Sequence, residues 1–276
     1  MQMKMTEWHM QKVRPKKSLG QHFLTDKDIA ARIVDSLEVP GGAASPEDVL
    51  EVGPGTGVLT GILLKRPDVN LKMVELDPEA VEFLRGNYPG MEGRLMEADF
   101  LKMNLSTLFP GHFSIIGNFP YNISSQIFFK VLEQRDRIPQ VVCMIQKEVA
   151  QRIAEPPGTK TYGILSVFLQ AWYDIEYLFT VGPGSFAPPP KVQSAVIRLR
   201  RNSRTALGCD EALFRTIVKS SFGLRRKTLR NSLKPLAMGI NAGKAVEFLS
   251  APVFDMRPEK LSVEDFISLT LLFEEL

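Results

Sequence analysis

The stretch Gly117-Asn118-Phe119-Pro120-Tyr121 follows an apolar run, Phe113 to Ile116, and brings an amide, a proline turn and an aromatic ring close together. Asn-x-Pro is ordinary turn chemistry and Tyr121 could serve simply as core. These residue types also suit a sharper task, the activation of a weak aromatic amine such as the exocyclic amine of adenine. Its lone pair is delocalised into the ring, and no ordinary protein base deprotonates it. A site can instead accept hydrogen bonds from both amine protons, draw the nitrogen towards a tetrahedral shape and aim its lone pair at an electrophile. The side-chain oxygen of Asn118 and the main-chain carbonyl of Phe119 are suitable acceptors. Tyr121 offers a face on which an extruded base can stack. Positioning then carries most of the rate, so neither a metal nor a covalent intermediate is required. No His/Cys/Asp cluster stands at metal-ligand spacing.

A second group lies upstream. Glu51-Val52-Gly53-Pro54-Gly55-Thr56-Gly57 follows a predicted strand and opens a predicted helix, where backbone must pass close to a ligand. Glycine permits both the turn and the approach. Glu75 ends the next strand about 20 residues on, where a carboxylate can accept from both hydroxyls of a ribose. Together they favour an adenosine-containing ligand over a plain strand-to-helix connection. Asp99, after the third strand, could hold an adenine amine or could cap a turn.

These residues need a scaffold, and the pattern supplies one. Asp26 is placed to cap a helix reaching about Leu37. Short apolar runs at Val49 to Val52, Leu71 to Leu76, Arg94 to Ala98, Phe113 to Gly117 and Val141 to Ile145 read as strands, with helices at Val58 to Leu64 and Pro78 to Arg85. Such alternation predicts an α/β fold with a parallel sheet covered on both faces. Asp174 to Val181 and Gln193 to Arg200 are joined by a proline-rich turn with no room for a helix, which predicts an antiparallel strand at the sheet edge. Beyond a polar linker, Arg201 to Cys209, the apolar spacing is helical to the end. The expected division is therefore 1–203, with a flexible basic tail over 1–15, and a small all-helical domain over 204–276.

A chain of 276 residues accommodates two such domains. With 44% hydrophobic and 24% charged residues it has ordinary globular composition. No apolar run approaches a membrane span, and the N-terminus lacks the apolar core of a secretory signal, so a cytoplasmic protein with no membrane partner is expected. The two cysteines, Cys143 and Cys209, are too few for a disulfide framework. A net charge of +3 says little by itself. Its distribution says more: Arg215, Lys219, Arg225, Arg226, Lys227, Arg230 and Lys234 occur with no intervening acid, a pattern that suits a polyanion such as RNA. Arg226, Arg230 and Lys234 recur at i, i+4 and i+8, as if along one helix face. A smaller basic cluster comprises Lys12, Arg14, Lys16 and Lys17.

The turn Gly-x-Gly-x-Gly, with Glu51 two residues ahead, resembles the first motif of the Rossmann-like class I methyltransferases, whose ligand is a cationic sulfonium. The conjunction of stretches is more specific: Lys17 to Leu24, Glu51 to Gly57, Glu75-Leu76-Asp77, Asp99, Gly117 to Ser125, Gln146 to Val149, Tyr162 to Val167 and Phe186 to Ser194. From Lys16 to its end the chain resembles the ribosomal RNA adenine dimethyltransferases of the small-subunit branch. That resemblance implies S-adenosylmethionine as methyl donor, held by His22, Leu24, Gly53, Gly55, Glu75, Asp99 and Asn118. It implies chemistry at Asn118, Phe119, Pro120 and Tyr121, with Phe186 as a second aromatic wall opposite Tyr121, although packing behind the proline turn is an alternative for Phe186. His22 stands where many relatives carry asparagine, Phe119 where leucine is commoner and Gln193 where aspartate is commoner. RNA would be held by Arg225, Arg226, Lys227, Arg230 and Lys234. The implied reaction is N6 dimethylation of two adjacent adenines in a hairpin near the 3′ end of 16S ribosomal RNA, on a small-subunit assembly intermediate, by a monomer.

Three rival readings are weighed against this one. A 23S ribosomal RNA methyltransferase of the antibiotic-resistance type would share the glycine turn and the Asn-x-Pro-Tyr stretch, but Ser221 to Asn231 resembles the small-subunit branch. A non-catalytic assembly factor of the same descent is disfavoured by the intact Asn118 and Tyr121. A nicotinamide dehydrogenase is disfavoured by the turn spacing.

Overall fold

A computed structural model describes residues 13–88 and 90–276. Its strands are β1 (Phe23–Leu24), β2 (Glu47–Val52), β3 (Val69–Glu75), β4 (Leu95–Glu97), β5 (Ser114–Asn118), β6 (Gln140–Gln146), β7 (Tyr173–Val181), β8 (Phe186–Ala187) and β9 (Ser194–Arg201). Seven of them form one sheet in the order β4-β3-β2-β5-β6-β9-β7. Strands β2 to β6 run parallel, and β9 is antiparallel to both of its neighbours. The reversed strand therefore lies one place in from the edge, and the edge strand β7 returns to the common direction. β1 and β8 form a separate antiparallel pair, Leu24 opposite Phe186. Strands of two residues carry no readable period, so this small sheet leaves no mark in the hydrophobic pattern.

The helices are α1 (Lys27–Asp35), α2 (Thr60–Leu63), α3 (Pro78–Asn87), α4 (Ser124–Glu133), α5 (Lys147–Ala154), α6 (Ile164–Gln170), α7 (Glu211–Gly223), α8 (Leu229–Asn241), α9 (Ala245–Phe248) and α10 (Val263–Glu274). Asp26 caps α1 by accepting from the Asp28 and Ile29 amides, both at 3.1 Å. Asp77 caps α3, whose first residue is Pro78.

Burial on both faces follows the two-residue period of a covered sheet. In β6, Val141, Cys143 and Ile145 pack into one core, while Val142 and Met144 pack into the other with Ile33, Leu63 and Leu84. The first core does not stop at the sheet. It continues through Phe168 into Phe214, Ile217, Phe254 and Phe266 of the C-terminal helices. Polar ties reinforce that junction. Arg135 donates to both carboxylate oxygens of Glu211, at 2.9 and 3.1 Å, and stacks over Trp172. Arg225 donates to the carbonyls of Lys160 and Tyr162.

Of the basic tail expected over 1–15, residues 1–12, including Lys12, lie outside the described residues, and Val13 is buried. Among the described residues no helix is long and apolar enough to cross a membrane.

Gly117 sets the spacing of the central strands. A Cβ placed there would lie 2.4 Å from the carbonyl oxygen of Val52, a contact that backbone on both sides cannot relieve. Gly117→Ala is expected to cost about 1–3 kcal/mol, the scale of overpacking in a rigid interior. Denaturant unfolding measures it, and a loss below about 0.5 kcal/mol would mean that β2 and β5 separate easily.

Candidate active site

Strands β2, β3 and β5 end side by side, and the residues that follow them line a cavity of about 260 Å³. The glycine turn after β2 forms one wall. Gly53, Gly55 and Gly57 all have positive φ, at 69°, 57° and 80°, where a side chain would be strained. At Gly55 a Cβ would also meet the Phe23 ring at 2.9 Å. Leu24, Val52, Val74, Ala98, Phe100 and Ile123 make the apolar lining.

The polar lining carries one sign. Glu51, Glu75 and Asp99 face the cavity, and no lysine or arginine does among the described residues. A pyrophosphate would find carboxyl groups and no cation in this lining, whereas a cationic sulfonium with an adenosine end fits. Glu75 is 6% exposed. Its Oε2 accepts from the Gly55 amide at 3.0 Å, and its Oε1 from the Leu76 and Asp77 amides, each at 2.9 Å. Burial raises its pKa, and those amides partly oppose the rise. Asp99 is more open. It accepts from the Leu101 amide at 3.0 Å and lies 3.5 Å from Lys102 Nζ, so it caps a turn and faces the cavity as well. Glu51, 1% exposed, is pushed up to about 8 by burial, with a hydrogen bond from Thr60 opposing.

A further wall is a strap, Ser18 to Leu24, laid across the cavity from the N-terminal side. Asp77 anchors it. One of its oxygens takes Lys16 Nζ and the other accepts from Gln21 Nε2 at 2.9 Å. Burial opposes the charge on Asp77, yet the bonds from Lys16 and Gln21 hold its carboxyl below the ordinary range. Asn118 supplies a further tie by donating from Nδ2 to the His22 carbonyl at 2.9 Å. That bond fixes the amide: Nδ2 is committed, and Oδ1, with no donor among the described residues, is left as an acceptor at the cavity.

The remaining members of the Asn-x-Pro-Tyr stretch separate by role. The Phe119 ring is buried edge-on to Phe128, 6.0 Å between centroids, so only backbone of this residue is available to a substrate. Pro120 lines the cavity. Tyr121 lies beyond it, half-buried, with its hydroxyl 2.5 Å from Ser194 Oγ.

Two expectations are corrected. The ring against Tyr121 is that of His22, stacked at 5.4 Å with its Nδ1 2.9 Å from the Pro188 carbonyl. Phe186 is buried beside Leu24 in the core under β8, because the β1–β8 pairing turns it inward. The basic row does not lie on one helix face. Arg226 falls in the turn between α7 and α8, since α8 begins only at Leu229. Arg230 is neutralised by Asp255 at 2.8 Å, an acid distant in sequence, and donates to the Leu249 carbonyl. Arg225 is spent on the Lys160 and Tyr162 carbonyls. Arg226, Lys227 and Lys234 are exposed and make no ion pair among the described residues. Asp77, Gln21 and Ser194 belong to the site's framework and were missed, because their partners lie 56 to 73 residues away.

The family profile described as Ribosomal RNA adenine dimethylase matches residues 12–274. The chain is 57% identical over 266 residues to Ribosomal RNA small subunit methyltransferase A of Parabacteroides distasonis, covering 96% of each chain. Its fold resembles a dimethyladenosine transferase from Plasmodium falciparum, with TM-score 0.72 and 24% identity, covering 92% of this chain and 98% of the other. It also resembles the 23S rRNA methyltransferase ErmE, with TM-score 0.63 and 27% identity, covering 90% and 99%.

The state of Glu51 has a measurable sign. The carboxyl ionises near 4.5 when unperturbed and at about 8 in the fold. Between those values the folded chain holds a proton that the unfolded chain has lost, so stability falls as pH rises through this window and levels off above it. Glu51→Gln should flatten that part of the profile, measured by denaturant unfolding from pH 5 to 8.5; an unchanged slope would clear Glu51 of the effect. A cationic ligand beside Glu51 should likewise expel a proton near pH 7, read by calorimetry as a heat that depends on the buffer.

Proposed function

The chain belongs to the ribosomal RNA adenine dimethylase family, and on that premise we propose that it dimethylates N6 of two adjacent adenines near the 3′ end of small-subunit ribosomal RNA. The observation that carries this reading is the orientation of Asn118. With Nδ2 donated to His22, Oδ1 is the atom offered at the cavity, and an acceptor is what an amine requires.

S-Adenosylmethionine supplies an electrophilic methyl group on a positively charged sulfur. Gly53, Gly55, Glu75 and Asp99 would hold its adenosine part, and His22 and Leu24 belong to the strap that closes over it. The chain's own residues then act on the amine. Asn118 Oδ1 and the Phe119 carbonyl accept its two protons, which tilts the lone pair out of conjugation. As the nitrogen–carbon bond forms and the carbon–sulfur bond breaks, positive charge moves onto nitrogen, where these acceptors stabilise it more than in the ground state. A proton then leaves nitrogen for solvent, and the neutral methylamine can react once more. Tyr121 provides the face against which the extruded base rests.

The 57% identity to a small-subunit enzyme, against 27% to a large-subunit one, supports the small-subunit target. We take the chain to act as a monomer. The substrate is taken to be a small-subunit assembly intermediate, which implies the cytoplasm. We divide the chain at about residue 203, with RNA docking assigned to Arg226, Lys227 and Lys234 of the helical part.

Asn118→Ala should lower single-turnover methyl transfer at saturating donor by about 10² to 10³, the scale for losing one acceptor used mainly in the transition state, and should also weaken donor binding, because the strap loses its tie. A near-parental rate would remove Asn118 from the chemistry. For docking, Arg226→Ala with Lys227→Ala should weaken RNA binding and make the slope of log K against log salt shallower by about one to two units. Arg230→Ala should leave that slope unchanged, because its charge is already paired. The reverse pattern would move the docking surface elsewhere.

A further inference from the structure

Tyr121 sits in an irregular loop between β5 and α4, where no regular backbone ladder fixes its ring. Its hydroxyl crosses to Ser194, 73 residues later, at 2.5 Å. Ser194 is fully buried and is the first residue of β9, paired with Gln146 of β6 on one side and with Val181 of β7 on the other. Its Oγ is therefore a fixed point of the sheet, and the residue does not line the cavity. The strap holds the ring a second time, because His22 stacks on it while directing Nδ1 at the Pro188 carbonyl.

We infer that Ser194 is a positioning residue for methyl transfer: through its hydrogen bond to the Tyr121 hydroxyl it fixes where the far end of the ring lies, and with it the platform on which the target adenine stacks. A phenyl ring pivots about its Cα–Cβ and Cβ–Cγ bonds. Fixing the hydroxyl stops the ring from swinging about Cα–Cβ; the oxygen lies on the Cβ–Cγ axis, so rotation about that bond is restrained instead by the stack with His22. A stacked base follows the plane of its platform, and its amine lies at the far edge of the base, so a tilt of the ring displaces the nitrogen from the line of attack. Displacements of about 1 Å are enough to cost a factor of about 10² in rate. With one face of Tyr121 taken by His22, only the other face is open to the base.

The inference rests on the reading of Tyr121 as the platform, so Tyr121→Ala tests that reading separately and should lower single-turnover transfer to small-subunit RNA by at least about 10². Ser194→Ala and Tyr121→Phe each remove the hydroxyl pair and should each lower the rate constant about tenfold, within the range for a misplaced reactant. Donor affinity by calorimetry should not change. The double variant should be no slower than Tyr121→Phe alone, since the bond is lost only once. Multiplied losses in the double variant, or a parental rate in either single variant while Tyr121→Ala collapses, would overturn the role of Ser194. A parental rate for Tyr121→Ala would overturn the platform itself. If Ser194→Ala fails to bind donor, Tyr121→Phe decides alone, because it deletes the same bond without opening space at a buried site.

Discussion

One hydrogen bond, from Asn118 Nδ2 to the carbonyl of His22, ties the two halves of the site together. An amide has a donor end and an acceptor end, and engaging one determines where the other points. By giving its donor to the strap, Asn118 both holds down a wall of the cavity and leaves its oxygen there as an acceptor. In the proposed reaction the residue that activates the amine is thus also a fastener of the segment laid over the cavity. Loss of strap order and loss of amine activation are coupled by construction.

Around that bond the framework is stiff where geometry matters. Gly117 lets β5 approach β2 closely, so that the Asn118 and Gly53 turns emerge side by side. The apolar core beneath the sheet runs without interruption into the C-terminal helices through Phe168 and Phe214. Arg135 with Glu211, and Arg225 with the Lys160 and Tyr162 carbonyls, lock the junction at its polar margins. The C-terminal helices are consequently set against the sheet by a packed interface rather than by a free linker.

What could be read in the sequence follows the range of the forces involved. Strands such as Val141 to Ile145 and the turn from Gly53 to Gly57 announce themselves because burial on both faces and positive φ restrict residue type locally. The Asn-x-Pro-Tyr stretch is equally local. The misjudged features all depend on distant partners. Arg226, Arg230 and Lys234 share a helical spacing, but α7 ends at Gly223 and Asp255 comes back to neutralise Arg230. Phe186 and His22 exchange places because a two-residue β-pair, with no period to detect, turns one inward and leaves the other beside Tyr121. Asp77 looks like a plain helix cap, and nothing nearby in sequence shows that Lys16 and Gln21 also converge on it.

The manner in which the strap is attached bears on turnover. Apart from the two-residue pairing of β1 with β8, it is held by side chains, among them Lys16 and Gln21 on Asp77 and Asn118 on His22. Such a segment can detach locally at far less cost than unfolding the domain beneath it. An enzyme that adds two methyl groups to each of two adenines must replace its spent donor repeatedly. Detachment of the strap alone would open the cavity for that exchange while the packed junction with the C-terminal helices stays closed.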